Sequence, residues 1–235
     1  EGSQLITNGD FATDSDWNIV NNAGTASEII NGYARIKTDG AYTQLDQPNV
    51  TIATKSYKLQ YTILESDGGN LGFIITGNQT ASIPNTVGTH IYYFVAHSTS
   101  IVFKRFSGAL DIKLDNVSVK QVDPNNNWTL GTGTTFGNNL VNITQGGNVL
   151  EQSGGIFVSG KKFKIQYTIS NYVSGSIAVS NVSPTTYFNS NGIYSYDVVG
   201  AGGNFKYFSS GFNGSITDIS VIEIQENGVP RLDYT

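Results

Sequence analysis

The stretch YKLQYTI at residues 57–63 returns as FKIQYTI at residues 163–169, an offset of 106. Both alternate with the period of two that marks a β-strand. Tyr57, Leu59, Tyr61 and Ile63 share one side, and Lys58, Gln60 and Thr62 the other. In the second copy Phe163, Ile165, Tyr167 and Ile169 oppose Lys164, Gln166 and Thr168. Successive side chains of a strand point to opposite faces of its sheet. Each copy therefore reads as a rung with one core face and one wet polar face.

The repeat extends outward from this rung. THIYYF (89–94) matches NGIYSY (191–196), VFKRFS (102–107) matches NFKYFS (204–209), and LDNVSV (114–119) matches ITDISV (216–221), all at an offset of 102. DWNIV (16–20) and NWTLG (127–131) lie 111 apart. An offset that shrinks along the chain while the strands persist is the signature of a duplicated unit whose second copy has shorter loops. The boundary falls in the polar VDPNNN (122–127), dividing the chain into units 1–122 and 123–226, with 227–235 as a linker to a following domain.

No segment carries a sustained helical period. SEIINGYARI (27–36) is the cleanest hairpin, two β-prone arms around Asn31-Gly32, a pair suited to a two-residue turn with both residues at positive φ. Further strands are expected at 42–46, 71–76, 89–95, 100–105 and 111–120. In the second unit they are expected at 139–144, 148–151, 175–180, 192–198, 203–208 and 214–224. The fold class is all-β, two tandem antiparallel β-sandwiches of about eight short strands each.

Charged residues make up 13% of the chain, about half the usual share, so solubility rests on Asn, Gln, Ser, Thr and Gly. A net charge of −5 without a basic run argues against nucleic acid. With no Cys there is neither a disulfide framework nor a thiolate metal site, and with no Met the chain is expected to be a piece of a longer protein. No apolar run approaches the roughly 20 residues of a membrane-spanning helix, so no membrane insertion is expected. Catalysis is not expected either: no nucleophile elbow, P-loop or H-E-x-x-H motif occurs. His90 and His97 are an odd number of residues apart on or near one strand, hence on opposite faces. The sequons at Asn49, Asn78, Asn116, Asn127, Asn142, Asn181 and Asn213 are read as a product of composition.

TNGDF (7–11) followed by Trp17, then GYARI (32–36), QLDQPNVTIATKSYKLQYTI (44–63) and LDNVSV (114–119) resembles the jelly-roll carbohydrate-binding modules of the families four, nine and twenty-two group, which are galactose-binding-like β-sandwiches. NWTLGTG (127–133), YTISNYVSGSI (167–177) and FNGSITDISVIEI (212–224) resemble a variant of these modules found in phage tail and virion proteins. ENGVPRLDYT (226–235) is similar to the linkers that follow them. The resemblance implies tandem non-catalytic modules at a virion surface or outside the cell, binding a polysaccharide or cell-surface glycan, within a parent able to form a homo-oligomer. It also leaves open a structural spacer of a virion fibre, or an accessory module of a glycoside hydrolase.

Sugar recognition needs aromatic faces and hydrogen-bonding amides on an accessible sheet. The resemblance points to Tyr33, Arg35, Tyr42, Gln44, Lys58, Gln60 and Tyr92 in the first unit. In the second it points to Asn142, Lys164, Gln166, Tyr172, Tyr187 and Tyr194. Trp17 and Trp128 are expected in the cores. No cofactor is required, but the family commonly holds a structural calcium in such a unit. Asp115 stands in place for it, while Ala12 occupies a position where an acid is usual, leaving Asp10 or Asp14 as the substitute.

Overall fold

Seventeen strands appear in the computed structural model, which describes residues 1–76 and 79–224, with only the backbone described at 75 and 76. The linker expected at 227–235 and the sequon at Asn78 lie outside the described residues. The first compact unit runs over Glu1–Pro124 and the second begins at Asn125.

In the first unit the strands are β1 (Asn18–Asn21), β2 (Glu28–Ile30), β3 (Tyr33–Thr38), β4 (Thr43–Gln47), β5 (Ser56–Thr76), β6 (Gln79–Ile83), β7 (Gly88–Val95) and β8 (Ile101–Gln121). The second has β9 (Trp128–Leu130), β10 (Thr134–Phe136), β11 (Val141–Ile143), β12 (Gly147–Phe157), β13 (Lys162–Ser180), β14 (Val182–Ser183), β15 (Tyr187–Phe188), β16 (Gly192–Gly200) and β17 (Gly203–Ile224). All pairings are antiparallel, and each unit holds one continuous sheet.

The β5–β8 ribbon is the axis of the first unit. β8 pairs with β4 near its start and β3 at its middle, while its other edge follows β5 from Phe73 to Tyr57. β5 adds β7 to its first half and β6 to its second, and β1 and β2 extend β4 and β3. The second unit repeats this plan. β13–β17 is its ribbon, β16 and β15 replace β7 and β6, β9–β12 replaces β1–β4, and β10–β11 replaces β2–β3. β14 is an addition beside β16.

Strands expected as separate pairs (57–63 with 71–76, and 163–169 with 175–180) are thus single bent strands. Glycines allow the bend. Gly68 and Gly175 both sit near φ +75°, with φ +75° and +74°, and Gly108 and Gly211 opposite them are also left-handed. A Cβ on Gly175 would lie 2.1 Å from the Gly211 carbonyl oxygen, so the two backbones meet where no other residue fits. The bulges are duplicated too: Asn116 and Asp218, at equivalent places in β8 and β17, have φ 51° and 52°.

Bending brings the inner faces of each ribbon together. Phe73 packs edge-on against Phe94 at 4.9 Å, and Phe103 against Tyr61 at 5.8 Å. Tyr167 and Tyr207 do the same in the second unit at 5.1 Å. The rung alternates as expected, with Tyr57, Leu59, Tyr61 and Ile63 buried and Lys58, Gln60 and Thr62 reaching solvent. Trp17 is buried against Phe11 and Phe103, and Trp128 packs half-buried on Phe205. The first sheet nearly closes into a barrel, whereas the second forms a half-barrel whose core keeps Trp128, Tyr172, Phe188, Tyr194, Ile219 and Val221 only partly covered. Asn31-Gly32 turns the β2–β3 hairpin with φ 53° and 76°, both positive as a primed turn requires.

Candidate functional site

Three neighbouring strands of the first unit place charged side chains on the outer face in two rows. Arg35, Lys113 and Glu65 align across β3, β8 and β5, followed by Lys37, Asp111 and Asp67. Side chains directly opposite in an antiparallel pair share a face, so these six stand together. They and their neighbours form a polar concavity of about 380 Å³, lined by Tyr33, Arg35, Glu65, Ser66, Asp67, Asp111 and Lys113.

Most of these charges hold one another. Arg35 donates from Nε and Nη2 to the two oxygens of Asp111, at 2.8 and 2.7 Å, and Lys37 approaches the same carboxylate at 3.3 Å. The hydrogen bond from Arg35, aided by Lys37, keeps the Asp111 carboxyl below the ordinary 3.8. Lys113 donates to Glu65 at 2.6 Å, which raises its own pKa, and its ammonium lies 5.0 Å from the Tyr33 ring centre. Asp67 makes no hydrogen bond or ion pair among the described residues, and the Ser66 hydroxyl accepts only a 3.3 Å contact from Asn85. The concavity therefore combines a rigid ion-paired frame with a carboxylate, a hydroxyl and an aromatic edge available to a ligand.

Of the residues expected at a sugar site, Tyr33 and Arg35 meet here. Tyr42 and Gln44 lie elsewhere, on β4 and its entry. The Tyr42 hydroxyl donates to Gln44, which donates to Asp46 at 2.8 Å, and Lys104 stands 5.9 Å from the Tyr42 ring centre. Lys58 and Gln60 share the outer face of β5 but sit roughly 23 and 16 Å along the strand from Glu65, given the ~3.3 Å rise per residue. Lys58 is tied to Glu1 at 2.8 Å.

Tyr92 requires a correction. It pairs with Leu59, a core residue, and packs edge-on against Phe73, so it faces inward. The aromatic opposite Lys58 is its neighbour Tyr93. Tyr194 is likewise inward, paired with buried Tyr167 and bonded through its hydroxyl to the Ser190 carbonyl. In both cases, opposition to a core residue fixes the side.

Tyr172 packs on Phe212 and donates to the Gly175 carbonyl, a structural position at the ribbon bend. Asn142 accepts from Ser215. Tyr187 is exposed, but it sits on β15 at the far end of β13 from Lys164 and Gln166. Those two face solvent beside Asp197 and Ser195, with no aromatic opposite them. Hence the second unit does not gather its candidates into one place.

Asp10 and Asp115 each use a carboxylate oxygen on a nearby backbone N–H, of Ala12 at 3.4 Å and Asn116 at 2.6 Å. Among the described residues no group of three His, Cys, Asp or Glu side chains converges.

Glu65, Ser66, Asp67, Asp111 and Lys113 were absent from the sequence-derived set. Their only signal was alternation: Asp111 and Lys113 occupy outward positions of a predicted strand, and ESD (65–67) follows the repeated rung after Leu64.

No protein-family model and no curated protein matches the chain. Among solved structures, it aligns with AerE from Microcystis aeruginosa at 12% identity, over 86% of this chain and 97% of that one, with a TM-score of 0.21. An anti-sigma factor domain-containing protein aligns at 10% identity over 84% of each chain, with a TM-score of 0.21. The 7S globulin of Momordica charantia aligns at 7% identity over 88% and 86%, with a TM-score of 0.20. Superpositions this poor inform neither fold detail nor function.

Proposed function

We propose that the chain is a non-catalytic glycan-binding protein of the jelly-roll carbohydrate-binding type, and that its first unit carries the site. The observation that supports this reading is the 380 Å³ concavity with Tyr33 on its wall, where Asp67 has no hydrogen bond or ion pair among the described residues and Ser66 keeps its hydroxyl proton free to donate, beside a preorganised ion-paired frame. Its size falls within the range of small-ligand sites, roughly 300–1,000 Å³. Tyr33 would offer an apolar ring edge to the C–H side of a pyranose, while Asp67, Ser66 and Arg35 hydrogen-bond its hydroxyls. The low charge content and amide-rich surface suit a virion-surface or extracellular protein, and among the described residues no helix is long and apolar enough to cross a membrane.

Affinity electrophoresis against plant, bacterial-surface and host-cell polysaccharides tests the proposal. At least one polysaccharide is expected to retard the chain, and Tyr33→Ala and Asp67→Ala to abolish that retardation with the fold intact. Free migration through the whole panel would sink it. The same ion pairs also favour a second reading, a spacer of a virion fibre whose outer charges serve only each other. In that case all variants migrate freely, and light scattering gives a discrete oligomer.

A further inference from the structure

The two copies of the repeated strand LDNVSV/ITDISV end in different surroundings. In the first unit the outer edge of β8 is covered by the chain's own start. Gly2 donates to the Gln121 carbonyl at 2.8 Å, Leu5 to Val119 at 2.9 Å, and Val117 donates to Gly9 at 2.8 Å. Gln4 forms an antiparallel bridge with Lys120 and clamps the edge with its amide, accepting from the Val119 N–H at 3.0 Å and the Ser118 hydroxyl at 2.9 Å. Ile6 enters the core beside this edge, leaving Val117 at 2% exposure and Val119 at 0%.

The receptor half of this arrangement is repeated in β17, where Ile219, Ser220 and Val221 replace Val117, Ser118 and Val119. Among the described residues the covering half is not. Only three residues separate the start of the second unit from β9, and no described strand pairs with 217–224 on its outer side. Ile219 and Val221 are consequently only partly buried.

The geometry points to the outer edge of β17, Ile219–Glu223, as a docking site for an extended strand from a separate polypeptide. That strand runs antiparallel and carries an amide side chain followed two residues later by an aliphatic one, the pattern of Gln4 and Ile6. The ladder supplies the binding energy, Ser220 reads the amide, and the aliphatic residue fills the gap over Ile219 and Val221. This inference is independent of the glycan-binding proposal.

A synthetic peptide with the sequence of residues 1–9 serves as the probe, titrated into the full chain and followed by residue-resolved amide hydrogen exchange. Exchange at Ile219, Val221 and Glu223 is expected to slow at least tenfold at saturation, while Val117 and Val119 stay unchanged. The peptide with Leu5→Pro, which lacks a ladder N–H, should give no slowing, and Ser220→Ala in the protein should weaken binding several-fold without changing its circular dichroism. Unchanged exchange at millimolar peptide would overturn the inference. So would slowing confined to Val117 and Val119, where the peptide merely displaces the chain's own segment. Protection of Ile219 and Val221 before peptide is added, with a doubled mass in solution, would overturn it in favour of pairing between two copies.

Discussion

Tyr61 and Tyr167 hold the same place in the two copies of the rung, yet only one satisfies its hydroxyl. Tyr61 donates to the Pro84 carbonyl at 2.6 Å, across the loop between β6 and β7. That loop is shorter in the second unit, and the Tyr167 hydroxyl is buried without a partner among the described residues, as are those of Tyr196 and Tyr207. Tyr167 and Tyr196 are close enough to perturb each other's ionisation but lie outside hydrogen-bond geometry. Tyr196 and Tyr207 replace Phe94 and Arg105 of the first unit. Duplication preserved the shape of the core and lost part of its polar bookkeeping, so the second unit is the less tightly specified one.

This contrast can be broken at several points, with Trp17 and Trp128 as single-tryptophan reporters of the two units. The largest effect is expected in the rung. Leu59→Ala should cost about 2–5 kcal/mol in urea unfolding, and Ile165→Ala a value towards the lower end, because a half-open core relaxes around a cavity more easily than a closed one. Equal losses would remove the distinction between the two cores. Next, Tyr61→Phe should destabilise by about 1–3 kcal/mol, leaving the Pro84 carbonyl without its donor, whereas Tyr207→Phe should be neutral or stabilising. The same sign for both would show that the second cluster is satisfied after all.

Alkaline pH separates the units in another way. Burial raises the hydroxyl pKa of Tyr167 and Tyr207 far above 10.0, and that of Tyr196 to about 12. A folded pKa above the unfolded one means the unfolded state releases its proton first, so stability is full below pH 10 and declines as the pH rises through 12. Burial raises the Tyr61 hydroxyl of the first unit in the same direction, so both signals should lose stability above pH 10. The Trp128 signal should do so more steeply, because three strongly raised hydroxyls stand there against one. Equal alkaline slopes would argue against it.

The smallest effect belongs to Arg35–Asp111. The Asp111 pKa is lowered, so its contribution is present above the ordinary carboxylate value and disappears as the pH falls below about 3.8 through the folded value. Both side chains are 31% exposed, which limits the pair to under about 1 kcal/mol. Asp111→Asn should flatten the acid limb of the Trp17 stability curve by that amount, and an unchanged curve would show the pair to be inert.

Much of the fold was legible because a core face repeats every second residue and the repeat itself was visible. The Asn31-Gly32 hairpin and the burial of Tyr57, Leu59, Tyr61 and Ile63 follow from local rules. The long strands were divided too early, since Gly68 and Gly175 read as turns on sequence alone but here bend a ribbon that continues. The candidate site was legible only in Tyr33 and Arg35. Tyr92 and Tyr194 were assigned to the wrong face because a strand's two sides are fixed by its partner, and Tyr92 opposes Leu59, not Lys58.

Alone, the sequence determined the duplication, the all-β class and which side of the rung is buried, all consequences of a two-residue period that needs no partner to be read. Register was decided by tertiary structure. It aligned Arg35, Lys113 and Glu65 from three strands far apart in the chain, closed the edge of β8 with Gly2–Leu5, and gave the matching edge of β17 no partner among the described residues. Such features depend on which strand lies beside which, and a pattern within one strand carries no information about its neighbour.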